Sequence, residues 1–520
     1  MVAKKIKETE SICPVCFKVL KADIIEEDGK IYLEKTCPEH GHFKETYWSD
    51  AKLYHEAAKY LRDGPGIENP AITKENPVCP HDCGLCKLHL STTGLANIFV
   101  TNRCNLRCWY CFANVGRVGK VFDPPLEVIE KMLDALRAER PVPAKALQIT
   151  GGEPTVRDDL IDIIKMAKEK GFTHIQLNTN GIKTAEDPEL CVKVRKAGVN
   201  VLYMSFDGVT MKSNPWLEEN KKTIENCRKV GLGVVLVPTL IRGVNDQEVG
   251  DIIRFAAENS DIVRGVNFQP VSFVGSMPAE QRNRERVTIP DLYKWIEEQT
   301  DGQITGEDFY PIPSVVPVSK FSEAWTGELD LEFTAHPHCG GATYVYIDKE
   351  NNKLVPITKF VDVKRFFNFL EEWSEKIKKG GKITKAKFLA NALIELNKII
   401  DSKKAPKEFD LKKIILEVLA KRDYHSLGEF HYKMMFIGNM HFMDPYNYDI
   451  ERVKRCVIHY AMPDGRIVPF CAFWGLQQEY AIKMQLDYGE SPKEWEARTG
   501  KKLKDDLYYR WKETAVPPSI

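Results

Sequence analysis

The segment Thr101-Asn102-Arg103-Cys104-Asn105-Leu106-Arg107-Cys108-Trp109-Tyr110-Cys111-Phe112 constrains this chain more than any other. Its cysteines are spaced C-x3-C-x2-C, and the apolar run Ala96-Asn97-Ile98-Phe99-Val100 before them reads as a strand. A loop this short can hold three corners of one cubic iron–sulfur cluster through its thiolates. The loop offers only three thiolates, so the fourth iron is open to a small molecule. The rest of the fold has to supply the walls around that corner.

Fourteen cysteines are present in all. The opening Met-Val-Ala-Lys-Lys-Ile-Lys-Glu-Thr-Glu is too charged for a secretory leader, so a cytoplasmic location is expected. Disulfide frameworks belong mainly to small secreted domains. All cysteines except Cys191 and Cys227 fall in clusters or at hairpin ends, a pattern that suits metal. Those two lie in helical segments and read as buried thiols.

Near the start, Cys13-Pro14-Val15-Cys16 and Cys37-Pro38-Glu39-His40 give C-x2-C-x20-C-x2-H. Between them, residues 19–33 alternate around Asp28-Gly29, a hairpin signal. Two knuckles joined by a hairpin hold one tetrahedral ion, either zinc or a rubredoxin-like iron. His42 is close enough in sequence to replace His40 as the fourth ligand. A full ligand set leaves no open position, so this ion is structural. After a polar stretch over 62–77, Cys79-Pro80-His81-Asp82-Cys83-Gly84-Leu85-Cys86 repeats the C-x3-C-x2-C spacing. It lacks both a preceding strand and an aromatic before its last cysteine. It reads as an auxiliary cluster, or alternatively as cysteines that complete the N-terminal ribbon.

From residue 96 strands and helices alternate. Strands are predicted over 96–100, 146–150, 174–179, 200–206, 233–240 and 266–271, with helices over 126–138, 159–170, 188–197, 217–230 and 248–259. Repeated strand–helix units require parallel pairing with right-handed crossovers. The fold class is α/β, a partial six-stranded (β/α) barrel with its site at the C-terminal strand ends. Those ends carry Gly151-Gly152-Glu153-Pro154, Asn178-Thr179-Asn180-Gly181 and Ser205-Phe206-Asp207-Gly208. Each alone also makes an ordinary turn. At successive strand ends they form a polar cradle beside the cysteine loop.

Beyond the barrel, Cys339 precedes a hairpin turning near Glu350-Asn351-Asn352, and Cys456 and Cys471 bracket a second one at Asp464-Gly465. These three are grouped as a second auxiliary cluster, with buried structural cysteines as the alternative. A helical insertion over 361–379, 385–401 and 409–420 is rich in phenylalanine and leucine, and a methionine-rich run covers 434–443. The helices either form their own core or wall a long apolar substrate. The expected divisions are a ribbon over 1–62, a linker with the first auxiliary motif over 63–95, the barrel over 96–310 and an α+β auxiliary-cluster and substrate domain over 311–520.

Lysine plus arginine equals aspartate plus glutamate at 74 each, so no basic excess points to nucleic acid. No run of about 18 apolar residues predicts a membrane-spanning helix, although contact at the inner membrane face remains compatible.

A cluster loop after a strand, with Tyr110 before its last cysteine, resembles the radical S-adenosylmethionine (SAM) superfamily. Gly151-Gly152-Glu153-Pro154 resembles that family's GGEP motif. The resemblance implies a [4Fe–4S] cluster on Cys104, Cys108 and Cys111, with SAM held by Tyr110, Phe112, Gly151 to Pro154, Asn178, Asn180, Ser205 and Asp207. It also implies a reductant such as ferredoxin or flavodoxin. The whole chain resembles the archaeal tetraether lipid synthases through its ribbon, Cys79 motif, Pro-His-Cys339-Gly and Pro-Phe-Cys471. That resemblance implies joining the terminal methyl carbons of two phytanyl chains of an archaeal diether phospholipid, with Cys339, Cys456 and Cys471 holding the first alkyl radical. Radical methylases of pterin precursors, with which this group was once placed, are the alternative.

Overall fold

The computed structural model describes residues 3–407, 411–413, 415, 430 and 433–510, and Lys382 by its backbone alone. The helix expected over 409–420 therefore lies largely outside the described residues.

The ribbon is a four-stranded antiparallel sheet of β1 (Lys4–Ile12), β2 (Val19–Glu27), β3 (Lys30–Cys37) and β4 (Gly41–Trp48), in that order. Asp28 and Gly29 both take positive φ, 51° and 73°, which closes the β2–β3 hairpin as the Asp-Gly pair predicts. Ala22, Ile24, Ile31 and Leu33 alternate onto its buried face.

The barrel strands are β5 (Leu95–Phe99), β6 (Ala146–Thr150), β7 (His174–Thr179), β8 (Val201–Ser205), β9 (Gly233–Val237), β10 (Thr239–Leu240) and β11 (Val263–Pro270). The strand expected over 233–240 is divided at Pro238, which has no N–H to give a ladder. Its second piece, β10, pairs with β11 alone. Helices cover the outer face through apolar stripes. Leu126–Ala138, for example, buries Ile129, Met132, Leu133 and Leu136 at helical spacing. Cys191 and Cys227 are fully buried inside helices, their sulfurs 4.0 Å apart, as free thiols.

The C-terminal strands extend this same sheet. They are β12 (Tyr310–Pro311), β13 (Gly340–Asp348), β14 (Lys353–Pro356), β15 (Met434–Met440), β16 (Ile458–Ala461) and β17 (Ile467–Pro469). The order is β12-β13-β15-β11-β9-β8-β7-β6-β5-β16-β17. β15 runs parallel to β11 and β16 runs parallel to β5, so the parallel layer is wider than the six predicted strands. The path has two free ends, and the barrel is open. The methionine-rich run at 434–443 begins as strand β15 with Met434 and Met435 buried, and only its end, Phe442 and Met443, lines a cavity.

The insertion is a helix, Val363–Ile399, broken at Gly381 with φ 60° and ψ −148°. That conformation is open to glycine and strained for other residues. Its halves pack Leu370, Trp373, Ile377, Phe388 and Leu396 against Phe321 in a core of their own.

Candidate functional site

The C-terminal strand ends open onto a cavity of about 600 Å³. Its lining includes Cys104, Cys108 and Cys111, together with Tyr110, Phe112, Gly151, Gly152, Glu153, Pro154, Asn178, Asn180, Ser205 and Asp207. Every residue expected around the cluster's open corner meets in this one cavity.

The cysteine loop is fastened from below. Val100 N–H donates to Thr150 O at 2.8 Å, Gly152 N–H to Thr101 O at 2.7 Å and Glu153 N–H to Arg103 O at 2.8 Å. A Cβ on Gly151 would lie 2.5 Å from Thr101 O, and one on Gly152 would lie 2.2 Å from Arg103 O. The two glycines are thus required for close approach to the cysteine loop's own backbone, not only to a ligand. The Arg103 side chain pairs with Asp123 and Asp506, each at 2.7 Å, and stacks 4.8 Å over the Trp495 ring. Trp495 Nε1 in turn donates to Asp123 at 2.8 Å. Sequence reasoning missed this clamp, because Asp506 and Trp495 lie in the last segments of the described chain and no local pattern marks them.

Glu153 is buried and accepts from Asn180 N at 2.7 Å and Thr179 Oγ1 at 2.9 Å. It therefore ties the end of β6 to the end of β7, while burial raises its carboxyl above the usual range. Asn180 Nδ2 donates to Asn105 Oδ1 at 2.7 Å, joining β7 to the cysteine loop. Tyr110 donates its hydroxyl to Asp207 at 2.5 Å, and Thr239 N–H donates to the other Asp207 oxygen at 2.8 Å. Burial pushes Asp207 up to about 6. Asn178 Oδ1 is buried at the cavity without a hydrogen-bond partner.

The far wall is aromatic. Phe442 and Phe470 stack at 3.8 Å, and Trp474 stands edge-on to Phe112 at 4.9 Å with its buried Nε1 unpartnered. Gln269, Ser272, Ser276 and Gln281 add polar groups on another side. No residue of the Val363–Ile399 insertion lines the cavity. The insertion expected as a substrate wall has its own core to bury instead.

In the ribbon, ligand atoms of Cys13, Cys16, Cys37 and His40 all lie within 4.8 Å of one another. His40 Nδ1 is 3.5 Å from Cys37 Sγ and 3.7 Å from Cys13 Sγ, and the Cys16 and Cys37 sulfurs are 3.9 Å apart. A tetrahedral ion with metal–sulfur bonds of about 2.3 Å requires donors roughly 3.8 Å apart. His42 Nδ1 is 3.3 Å from Thr36 Oγ1, outside that group. The ribbon closes with its own four donors, so Cys79, Cys83 and Cys86 are not needed to complete it.

Neither auxiliary set lines the cavity. Cys83 N–H donates to the Tyr480 hydroxyl at 3.1 Å, and Cys86 bridges to Ile72. Cys471 stands one residue behind Phe470, and Met443 N–H donates to its sulfur at 3.4 Å. Cys339 precedes β13 and Cys456 precedes β16. One buried core connects Cys79, Cys83, Cys111 and Cys471.

Comparison with known proteins fits this geometry. Residues 98–256 match the radical SAM superfamily, and residues 5–49 match the HMPTM N-terminal zinc ribbon domain. The 7,8-dihydro-6-hydroxymethylpterin dimethyltransferase of Methanocaldococcus jannaschii is 51% identical over 494 residues, 93% of this chain and 96% of that protein. This chain belongs to the radical SAM superfamily, in the family of that dimethyltransferase. The GTP 3′,8-cyclase of Geobacter sulfurreducens is 29% identical over 199 residues, covering 37% of this chain and 58% of its own length. Among solved structures, methylornithine synthase aligns with a TM-score of 0.33 at 14% identity, over 41% of this chain and 64% of its own. At that level it carries no argument.

As a radical SAM enzyme the chain takes a [4Fe–4S] cluster and SAM, the ribbon's donors fit zinc, and the remaining cysteine sets fit auxiliary clusters. The cavity residues suit such occupants. Burial pushes Cys104 well up and Cys108 to about 12, so ionised sulfur there calls for a compensating cation. The orphaned Asn178 Oδ1 calls for a donor from a ligand.

The expected coupling of phytanyl chains is overturned by the near full-length likeness to a pterin dimethyltransferase. With it go the archaeal phospholipid substrate, the radical-holding role of Cys339, Cys456 and Cys471, and the reason for membrane contact. No helix among the described residues is long and apolar enough to cross a membrane.

Proposed function

We propose that this chain is a radical SAM C-methyltransferase that places a methyl group on a carbon of a reduced pterin such as 7,8-dihydro-6-hydroxymethylpterin. The 51% identity over 93% of the chain carries this reading. The cavity supports it, because a flat, hydrogen-bonding heterocycle needs both aromatic faces and polar groups at its edges. Phe442, Phe470 and Trp474 offer the faces, and Gln269, Ser272 and Gln281 offer the edges.

Cys104, Cys108 and Cys111 hold the cluster, which with SAM supplies a carbon-centred radical able to take hydrogen from an unactivated C–H bond. Asn178 on β7, Asn180 just past its end, Ser205 on β8 and Asp207 just beyond that strand orient SAM through polar contacts. Glu153 holds the ends of β6 and β7 in register, and Tyr110 is kept in place by Asp207. The buried Trp474 closes one wall of the cavity against water. Cys13, Cys16, Cys37 and His40 hold the structural ion, and the two auxiliary sets sit behind the cavity as electron carriers.

Anaerobically reconstituted protein given the dihydropterin, a low-potential reductant, SAM as the radical source and a separate one-carbon donor, tested in turn as further SAM (released as S-adenosylhomocysteine) or a methylene-carrying reduced folate, should yield 5′-deoxyadenosine and a pterin heavier by one or two methyl groups on mass spectrometry. Deoxyadenosine with an unchanged pterin would sink the proposed acceptor while sparing the radical chemistry.

A further inference from the structure

The Cys339, Cys456 and Cys471 set supplies three thiolates, and an ordinary [4Fe–4S] cluster takes four protein ligands. The missing one is written in the sheet. β13 and β15 pair antiparallel with Gly340 opposite Met440, and His441 N–H donates to Cys339 O at 2.8 Å, which extends the ladder by one step. Cys339 and His441 are therefore directly opposed, and side chains of such a pair share one face with Cβ atoms about 5 Å apart. Two residues further on, Met443 N–H reaches Cys471 Sγ at 3.4 Å. Along the chain His441 thus falls two residues before the one that meets the Cys471 sulfur and directly across the ladder from Cys339.

Its side chain is 2% exposed, and neither ring nitrogen has a hydrogen-bond partner. A buried imidazole in that state forfeits the hydrogen bonds that water would have given it, a penalty that native structures rarely leave uncompensated. The neighbouring histidines differ, since His338 Nε2 lies 3.0 Å from Tyr54 O and His336 Nδ1 accepts from His338 N–H at 3.3 Å. A second observation shows that the place is built for an anion. Arg452 is 1% exposed, has no carboxylate partner among the described residues, and points Nε at Cys339 Sγ at 3.3 Å. Its Nη2 donates to His441 O at 2.6 Å. A guanidinium is always charged and is rarely buried unpaired, so its counter-charge has to come from the thiolates and what they bind.

We propose that His441 is the fourth ligand of the cluster held by Cys339, Cys456 and Cys471, with Arg452 as the buried cation facing it. The inference rests on the cluster reading of these cysteines and not on the methyl acceptor. The test uses the C104A/C108A/C111A protein, which lacks the cavity cluster, labelled with 15N-histidine and reduced. Pulsed EPR should show a strongly coupled histidine nitrogen, lost in His441→Ala. His441→Cys should keep the full iron content, lose the nitrogen coupling and lower the reduction potential, since imidazole ligation raises it. No histidine coupling, or one that survives His441→Ala, would overturn the proposal. Replacing Cys339, Cys456 and Cys471 together should remove about four iron atoms per chain. An unchanged iron content there would instead overturn the cluster reading beneath it.

Discussion

The ribbon and the Cys104 loop are two cysteine-rich turns that differ in closure. In the ribbon, two hairpin ends bring four donors within 4.8 Å of one another. Around Cys104, three sulfurs line a cavity of about 600 Å³, and the residues that might have supplied a fourth are hydrogen-bonded to each other. Asn180 is taken by Asn105, and Asp207 by Tyr110. A complete donor set produces a rigid structural joint. A set short by one, held by strand ends and kept from closing, produces a place where a small molecule can meet metal.

The largest test of that contrast is Cys108→Ala, which should abolish deoxyadenosine formation, read by chromatography, while leaving the ribbon's metal in place. Gly152→Ala should come next. Its Cβ would meet Arg103 O at 2.2 Å, and relieving such overpacking costs about 1–3 kcal/mol. Thermal unfolding should start lower, and deoxyadenosine formation should fall several-fold as the cysteine loop shifts; unchanged values for both would break the account of the glycines. Cys37→Ser should act in the opposite sense, releasing one metal ion per chain and lowering the melting temperature while the EPR signal of the cavity cluster persists. Loss of that signal on ribbon damage would show that the two regions are not separable.

The remaining test lies outside both, where β16 joins β5. Glu139 is 3% exposed, accepts from Thr93 N–H at 2.7 Å, and is pushed by burial from 4.5 up to about 7. A raised carboxyl favours the folded state when protonated, so this contribution is full below pH 4.5 and is lost as the pH rises towards 7, on the order of 3 kcal/mol in all. Glu139→Gln should flatten the change in urea midpoint between pH 5 and 7; an equally steep change in the variant would assign it to other groups.

Much of this was legible in the sequence, and for physical reasons. Strands β5 to β9 and their helices follow from local apolar periodicity, and the ribbon follows from Asp28-Gly29 between two cysteine knuckles. The cavity residues announced themselves because punctuation falls at successive strand ends, all of which face one way in a parallel sheet. What stayed hidden depends on distant partners. β15 and β16 read as a methionine-rich run and a hairpin arm because nothing local says that they pair with β11 and β5. The Arg103 clamp uses an aspartate some four hundred residues away. The substrate was misjudged on a whole-chain resemblance carried by cysteine motifs that lie away from the cavity, and the apolar insertion could not correct it, since an amphipathic helix looks alike whether it covers a ligand or its own core.

We propose that the Cys104 loop, short of a fourth donor, keeps a metal corner open for SAM. The direct measurement is pulsed EPR on the reduced protein with SAM labelled with 15N at its amino group. The account predicts a hyperfine coupling from that nitrogen to a cluster, absent in Cys108→Ala and retained when Cys339, Cys456 and Cys471 are replaced. A coupling that survives Cys108→Ala, or that disappears with the C-terminal cysteines, would contradict it.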